Sequence, residues 1–489
     1  MSAVALTAVA DALRAAGLLD SVRGNLPREV TMVSDDSRAM RAGALFLAVR
    51  GTERDGHDYL DAAARAGAVA ALVADPSRTT LPALVVTDTR RAAAVAAAAF
   101  HGFPARQLRL VGVTGTNGKT TTVGMLRHLL DAPDARAASI GTLGILVGSD
   151  GAVMDGGSGL TTPGPVELQR VLRALHDQGV RTVVMETSSH ALHQQRVEGL
   201  RFDAGVFTNL TRDHLDYHVT MEAYLAAKAT LVALLAERGV AVVNADDPAW
   251  ITLPAAPRTT RFGLEHSADV TATDVRYTPR GSQWTFAVKG ERHPVTLPLI
   301  GDFNIANALA AGATAWSLGV AASEVAARLS TMPQVPGRLE ILHEQPTVLR
   351  DYAHTPDALA RALAAVRPFT TGALTVVFGC GGDRDRGKRP EMGRIAEAGA
   401  DRVIVTSDNP RTEDPERILD DIEAGMIAGR HERIEDRRAA IAHAIAGAAP
   451  ADVILLAGKG HETYQIRGTV KYPFDEREIV HEIIADGVT

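Results

Sequence analysis

The sequence predicts an α/β protein of several domains, organised around a doubly wound, mostly parallel sheet. Three observations predict it. Short apolar runs alternate with helical patterns along most of the chain. A strand-like run at Leu108–Val113 passes through a Gly-rich loop into a helix over about 119–130, the usual entry to a phosphate-binding α/β unit. The chain has 489 residues, and a single core stops growing at roughly 250–300, so two to four domains are expected.

The elements divide into three segments. In residues 1–106, Leu45–Val49, Ala70–Val73 and Leu84–Val86 read as strands, and Asp61–Ala66 and Arg90–Phe100 as helices. Gly102–Arg106 reads as a linker into the second segment, 107–335. Its further strands are expected at Thr182–Met185, Ala204–Phe207 and Val240–Asn244. The alternation in Gln283–Val288 predicts a small antiparallel insertion within 270–300, followed by a helix over Ile305–Leu318. The Pro/Gly-rich stretch Met332–Gly337 separates the third segment, 336–489. Strands there are expected at Thr347–Asp351, Leu374–Phe378, Arg402–Thr406 and Val453–Ala457, forming a second, Rossmann-like α/β sheet.

Composition narrows the class. Apolar residues make up 46% and charged residues 22% of the chain, an ordinary globular balance, and with only 4% aromatics the cores must be Ala, Val and Leu. The net charge of −7 and the lack of a basic block argue against nucleic acid as a partner. No apolar run approaches the roughly 18 residues that span a bilayer. No basic n-region precedes the first apolar residues, and the single cysteine, Cys380, excludes an internal disulfide. A cytoplasmic protein, monomeric and away from membranes, is expected. Cys380, in a Gly-rich loop, reads as a buried filler rather than a nucleophile.

The strongest local signal is Val113-Thr-Gly-Thr-Asn-Gly-Lys-Thr-Thr-Thr122. Two glycines allow a tight turn, and backbone N–H groups of the loop and helix start can face phosphates. Gly115, Thr116, Asn117, Gly118, Lys119, Thr120 and Thr121 are the candidate nucleotide contacts. Lys119 would reach the β/γ-phosphates and Thr120 would ligate Mg²⁺. The strict spacing wants glycine where this chain has Val113, so the motif is a variant. An ordinary glycine turn before a helix is the plainer alternative. A P-loop alone does not name a reaction.

The surrounding blocks do more. Gly112–Thr120, Met185-Glu-Thr-Ser-Ser-His190, Thr208–His218, Gly301–Asn307 and Asp351-Tyr-Ala-His-Thr-Pro356 follow one another in an order that resembles the Mur ligase family. Gly379–Arg389, Asp408-Asn-Pro-Arg411 and Gly458-Lys-Gly-His-Glu462 resemble its tripeptide-synthetase branch of the meso-diaminopimelate-adding type. The resemblance covers nearly the whole chain and implies the three-domain Mur ligase architecture. It assigns 1–106 to UDP binding, 107–335 to the ATPase and 336–489 to the amino acid. It implies an ATP-dependent ligase that adds meso-2,6-diaminopimelate to UDP-N-acetylmuramoyl-L-alanyl-D-glutamate through an acyl phosphate. That step serves peptidoglycan synthesis, and with it cell-wall biogenesis, cell shape and division.

The resemblance also implies roles. Glu186 follows a strand, within reach of the P-loop metal. His214 matches the ligand of a second Mg²⁺. Lys228, which composition alone would make a surface lysine, matches a carbamylated lysine, a cation turned into an oxygen ligand of the kind Mg²⁺ prefers. The catalytic candidates are Lys119, Glu186, His214 and Lys228; the metal candidates are Thr120, Glu186, His214 and Lys228. Asn304, Arg338 and Asp351 resemble contacts to adenine, phosphate and ribose, which would put ATP between the second and third segments. Ser37, Thr52, Glu53 and Arg54 match the uridine side, with Ala44 standing where relatives carry aspartate. Thr161, Thr162, Ser188, Gln194 and Arg196 match positions that hold the MurNAc peptide.

Diaminopimelate differs from lysine by a carboxylate at its far end, and a planar cationic fork suits that group. Arg411 supplies the fork. Arg384, Asp408, Asn409, Pro410, Gly458 and Glu462 match the other contacts, with Glu462 suited to the distal amine. A lysine-adding homologue or a folylpolyglutamate-synthetase-like ligase is the nearest rival. The Thr-Thr-Pro block at 161–163 and Asp408–Arg411 argue against the second of these; lysine-adding relatives resemble this chain elsewhere but lack Arg411. A nucleotide-binding switch or scaffold is the rival outside enzymes, and it has no need of Glu186, His214 and Lys228 together.

Overall fold

The structure, a computed structural model, describes residues 3–51, 54–156, 159–278 and 280–487. It divides into two compact units. One takes in the chain up to Thr271 together with Asn307–Val325; the other holds Ala272–Ala306 and the chain from Ala326 on.

The first unit carries a two-stranded ribbon, Val4–Ala5 against Glu29–Val30, and two larger sheets. The smaller has the strand order Leu19–Arg23, Ala83–Val86, Ala68–Val73, Ala44–Leu47, Met32–Ser34, parallel except at the Leu19–Arg23 edge. Side chains alternate across a strand, so Leu45, Leu47, Ala70 and Leu72 pack on one face while Phe46, Ala71 and Val73 pack on the other. A sheet buried on both faces needs continuous apolar runs, and that is why these strands were legible. The helix Thr89–Phe100 covers one face, capped by Asp88, whose carboxylate accepts from the backbone of Arg90 and Arg91. Ala44 is fully buried between strands, a place where an aspartate would need partners.

The larger sheet of this unit runs Ala152–Met154, Gly144–Val147, Arg136–Gly141, Val180–Glu186, Arg109–Thr114, Phe202–Phe207, Leu235–Asn244, Arg258–Gly263. Its interior is parallel and its 136–154 edge antiparallel. The strand Arg109–Thr114 sits in the middle and delivers the Gly-rich loop to the helix Lys119–Leu130. Val113 pairs with Glu186 and Val206 inside this sheet and is fully buried. The chain is still a strand there, so no glycine is required. The turn falls at Gly115 and Gly118, whose φ values of 144° and 82° are positive and favour glycine.

In the second unit Gly281–Val288 pairs antiparallel with Glu291–Leu297, the expected insertion. The main sheet of that unit has the order Glu340–Glu344, Thr347–Asp351, Val453–Ala457, Leu374–Phe378, Arg402–Val405, Glu432–Arg433 and is parallel beyond its first pair. Its two faces are again both buried, with Leu374, Val376 and Phe378 on one and Val377, Ile454 and Leu456 on the other. Among the described residues no helix is long and apolar enough to cross a membrane.

Candidate active site

Strand ends and the loops that follow them position almost every candidate residue, because the carboxyl edge of a parallel sheet is where loops can gather. In the first unit Lys119 opens the P-loop helix and donates from Nζ to the carbonyls of Gly115 (3.0 Å) and Thr116 (2.8 Å). Thr116 Oγ1 donates to Thr211 O and lies 3.2 Å from Tyr224 Oη, and Asn117 N donates to Asn209 Oδ1. Thr121 is buried on the same helix.

Glu186 is the last residue of its strand, not a loop residue beyond it, and is 1% exposed. Its Oε1 accepts from Thr120 Oγ1 (3.0 Å) and from the Thr142 backbone N–H (2.8 Å), and Oε2 accepts from Thr142 Oγ1 (3.3 Å). A side chain at Gly141 would run into Glu186 Oε1, so glycine leaves room for the carboxylate. Gly141 and Thr142 carried no signal in the sequence; they matter only because their strand neighbours Glu186. The Thr120 hydroxyl and the Glu186 carboxylate are thus adjacent hard oxygen donors, a set that suits Mg²⁺.

Lys228 is not a surface lysine. It lies on the helix Met221–Ala233, 1% exposed, with Nζ 2.7 Å from Gly115 O and 4.3 Å from the Tyr224 ring centre. Burial, and then the charge of Lys119, hold its pKa well below the ordinary lysine value. A neutral amine is the form that reacts with carbon dioxide. His214 adopts a left-handed backbone conformation (φ 53°), its Nε2 lies 3.4 Å from Asp213 Oδ2, and burial lowers its pKa.

The peptide-side residues form a connected group. Thr162 Oγ1 donates to Glu186 O (2.8 Å) and accepts from Ser188 N (3.1 Å), while Thr161 Oγ1 is 3.3 Å from Thr142 Oγ1. Arg196 donates to Gln194 Oε1 and to Thr162 O. Gln194 Nε2 in turn donates to Tyr217 Oη (3.1 Å). The His190 ring meets those of His214 and Tyr217, and burial, reinforced by His214, lowers its pKa to about 4. Tyr217 and His190 belong to the blocks Thr208–His218 and Met185–His190, whose resemblance assigns them no role.

On the uridine side, Ser37 lies in a short 3₁₀ turn capped by Asp36, and Arg54 is exposed. Thr52 and Glu53 lie outside the described residues.

In the second unit Asn304 is fully buried and donates from Nδ2 to Ile300 O (2.8 Å). Asp351 ends its strand, accepts from the backbone of Leu339 and Ala353, and has its carboxyl pKa raised by burial. The Arg338 guanidinium lies over the Tyr352 ring at 4.9 Å.

Two loops at the carboxyl edge of the same sheet bring the amino-acid candidates together. Asp408 and Asn409 are buried, and Asn409 Nδ2 donates to Glu462 Oε2 (2.8 Å). Gly458, at φ 117°, lets its loop pass beside Asp408. Buried Pro410 precedes Arg411, which is left-handed at φ 52°, half-buried, and donates to Gly382 O at 2.8 Å. Arg384 is exposed and flanks Gly381 together with Arg411. At the centre lies Lys459, fully buried, with Nζ within 3.1–3.4 Å of Asn409, Glu462 and Asp408. Cys380 is buried against Met392, and burial pushes its thiol pKa to about 12, which suits a filler.

Comparison with known proteins fits this arrangement. Family models described as the Mur ligase family catalytic domain, the Mur ligase middle domain and the Mur ligase glutamate ligase domain match residues 29–114, 113–315 and 337–460. The chain belongs to the Mur ligase family. Among Mur ligases similar to it, a UDP-N-acetylmuramoyl-L-alanyl-D-glutamate–2,6-diaminopimelate ligase of Synechococcus elongatus is 47% identical, over 94% of either chain. The ligase of the same name from Gloeobacter violaceus is 45% identical, over 94% of this chain and 95% of its own. A solved structure of a ligase with that name has a TM-score of 0.69 at 33% identity and covers 96% of this chain and 98% of its own. A folylpolyglutamate synthase of Mycobacterium tuberculosis shares the fold, with a TM-score of 0.60, at 19% identity over 75% of this chain and 91% of its own.

Proposed function

We propose that this chain is the ATP-dependent ligase that joins meso-2,6-diaminopimelate to UDP-N-acetylmuramoyl-L-alanyl-D-glutamate during peptidoglycan precursor synthesis. The observation that carries the choice of amino acid is the placement of Arg411 on one loop with Asp408 and Asn409, which meets Glu462 of a second loop. A guanidinium fork can pair with the far carboxylate of diaminopimelate, and Glu462 can take the amine next to it. Lysine offers nothing to that fork. The sequence relatives of that name support the reading.

The chemistry proceeds in two steps. A carboxylate oxygen of the UDP-linked peptide attacks the γ-phosphorus of ATP, the bond to the bridging oxygen breaks, and ADP leaves with that electron pair. The amine of diaminopimelate then attacks the acyl carbon, loses a proton, and expels inorganic phosphate. Both steps crowd negative oxygens together, so the site must supply positive charge. Lys119 holds the β/γ-phosphates. Thr162, Ser188, Gln194 and Arg196 hold the peptide, and their shared hydrogen bonds fix its carboxylate. Asn304, Arg338 and Asp351 hold the adenine, phosphate and ribose. Mg²⁺ bound by Thr120 and Glu186, and a second by His214 and a carbamate on Lys228, would neutralise phosphate charge. The carbamate forms when the neutral Lys228 amine bonds to the carbon of CO₂ and releases a proton.

The protein acts in the cytoplasm, a reading that its single, buried thiol supports, and it acts as a monomer, which sedimentation equilibrium tests. The deciding experiment supplies purified protein with ATP, Mg²⁺ and UDP-MurNAc-dipeptide and offers diaminopimelate, lysine or glutamate. Release of ADP and a product mass one diaminopimelate larger is expected. Product with lysine or glutamate alone would overturn the reading.

A further inference from the structure

Lys459 stands out among the groups to which the reaction gives no task. It is fully buried, and a buried ammonium is costly unless it is paired. Its partners are residues of the amino-acid pocket: Asn409 Oδ1 at 3.1 Å, Glu462 Oε2 at 3.3 Å and Asp408 Oδ1 at 3.4 Å. Glu462 Oε2 accepts from both Lys459 and Asn409, so this cation sets the field at the carboxylate meant for the distal amine.

Lys459 is not what ties the two loops together. Arg437, also fully buried and paired with Glu476, donates to Ala457 O (2.9 Å) and reaches Ser407 O (3.5 Å), the carbonyls just before Gly458 and Asp408. Gln465 Nε2 donates to Asp408 O and Ile466 N to Asn409 Oδ1. The loops therefore have supports that do not pass through the lysine ammonium.

Charge decides what Lys459 does. Asp408 and Glu462 bring two negative charges; buried Lys459 and half-buried Arg411 bring two positive ones, and the exposed Arg384 adds a third beside Arg411. The buried part of the pocket is balanced, and diaminopimelate, with two carboxylates and two amines, is balanced as well. Lysine carries one more positive charge than diaminopimelate. Without Lys459 the buried part of the pocket would be net negative, would favour a cationic amino acid, and would disfavour the second carboxylate. We propose that Lys459 is a specificity-determining residue: its buried ammonium, held by Asp408, Asn409 and Glu462, keeps the pocket selective for a dicarboxylic diamine over a cationic amino acid. It acts through these neighbours as a positioning residue. The inference rests on the proposed diaminopimelate-adding function.

The test is a competition between diaminopimelate and lysine in one reaction, with products resolved by mass. For Lys459→Met the ratio of kcat/KM values, diaminopimelate over lysine, is expected to fall at least tenfold, while KM for ATP stays within twofold of the parent. Lys459→Gln keeps a hydrogen-bond donor but no charge and is expected to show the same shift. It also carries the measurement if Lys459→Met does not fold. Parallel loss of both activities with an unchanged ratio would overturn the proposal, as would a normal ratio in the Gln variant. A parent enzyme that makes no diaminopimelate product would instead refute the function itself.

Discussion

Lys228 and Lys119 direct their ammonium groups at one carbonyl oxygen, that of Gly115, at 2.7 and 3.0 Å. Two like charges converge beside the phosphate loop, and one of them is buried. That arrangement is unfavourable while both are protonated. A carbamate on Lys228 removes the repulsion by inverting one charge. Intact-protein mass is expected to show one added CO₂ per chain under native, bicarbonate-containing conditions. Lys228→Ala is expected to lose the adduct and to lower kcat by about 10²-fold or more. Full activity in that variant would remove the carbamate from the scheme.

The same lysine makes a stability prediction. Its folded pKa lies below its unfolded one, so the unfolded chain binds more protons between the two values and stability rises with pH across that window. Below the window the unmodified lysine is a full cost. In CO₂-stripped buffer at neutral pH, Lys228→Met is therefore expected to raise Tm by about 2–4 °C while abolishing activity. A lower Tm would mean that the ammonium is stabilising where it sits.

Gly141 predicts an indirect effect. A methyl group there meets Glu186 Oε1, the atom that also accepts from Thr120. Gly141→Ala is expected to raise the Mg²⁺ concentration needed for half-maximal rate several-fold and to lower kcat about tenfold or more. The KM for diaminopimelate should not move. Titrating Mg²⁺ in the two proteins checks this.

Arg411 predicts selectivity. Arg411→Lys keeps the charge but not the planar fork. Its kcat/KM for diaminopimelate is expected to fall by about 10–10²-fold, the equivalent of a lost charge-assisted hydrogen bond. The value for lysine should change little. An unaltered ratio would detach Arg411 from the far carboxylate.

His101 predicts acid sensitivity away from the site. Burial, with Arg170 and Arg173 adding to it, lowers its pKa from an ordinary 6.5 to about 4. Between those values the unfolded chain takes up the proton that the folded chain refuses, so stability is retained above pH 6.5 and lost as pH falls toward 4. His101→Gln is expected to lose less Tm than the parent between pH 6.5 and 4.5.

Several features were legible in the residues alone. The helix Lys119–Leu130 and the strands Thr347–Asp351, Leu374–Phe378 and Val453–Ala457 lie where periodicity put them, because parallel strands buried on both faces must be written as unbroken apolar runs. The strands Arg136–Gly141 and Gly144–Val147, toward one side of the larger sheet of the first unit, left no comparable trace. The order of the motifs was enough for the family. Tertiary structure alone decided that Lys228 is buried against Gly115, that Gly141 makes room for Glu186, and that Lys459 sits among three pocket residues. Local pattern records which face of an element is apolar. It does not record which polar groups distant segments bring together, and burial of a charge is settled only there.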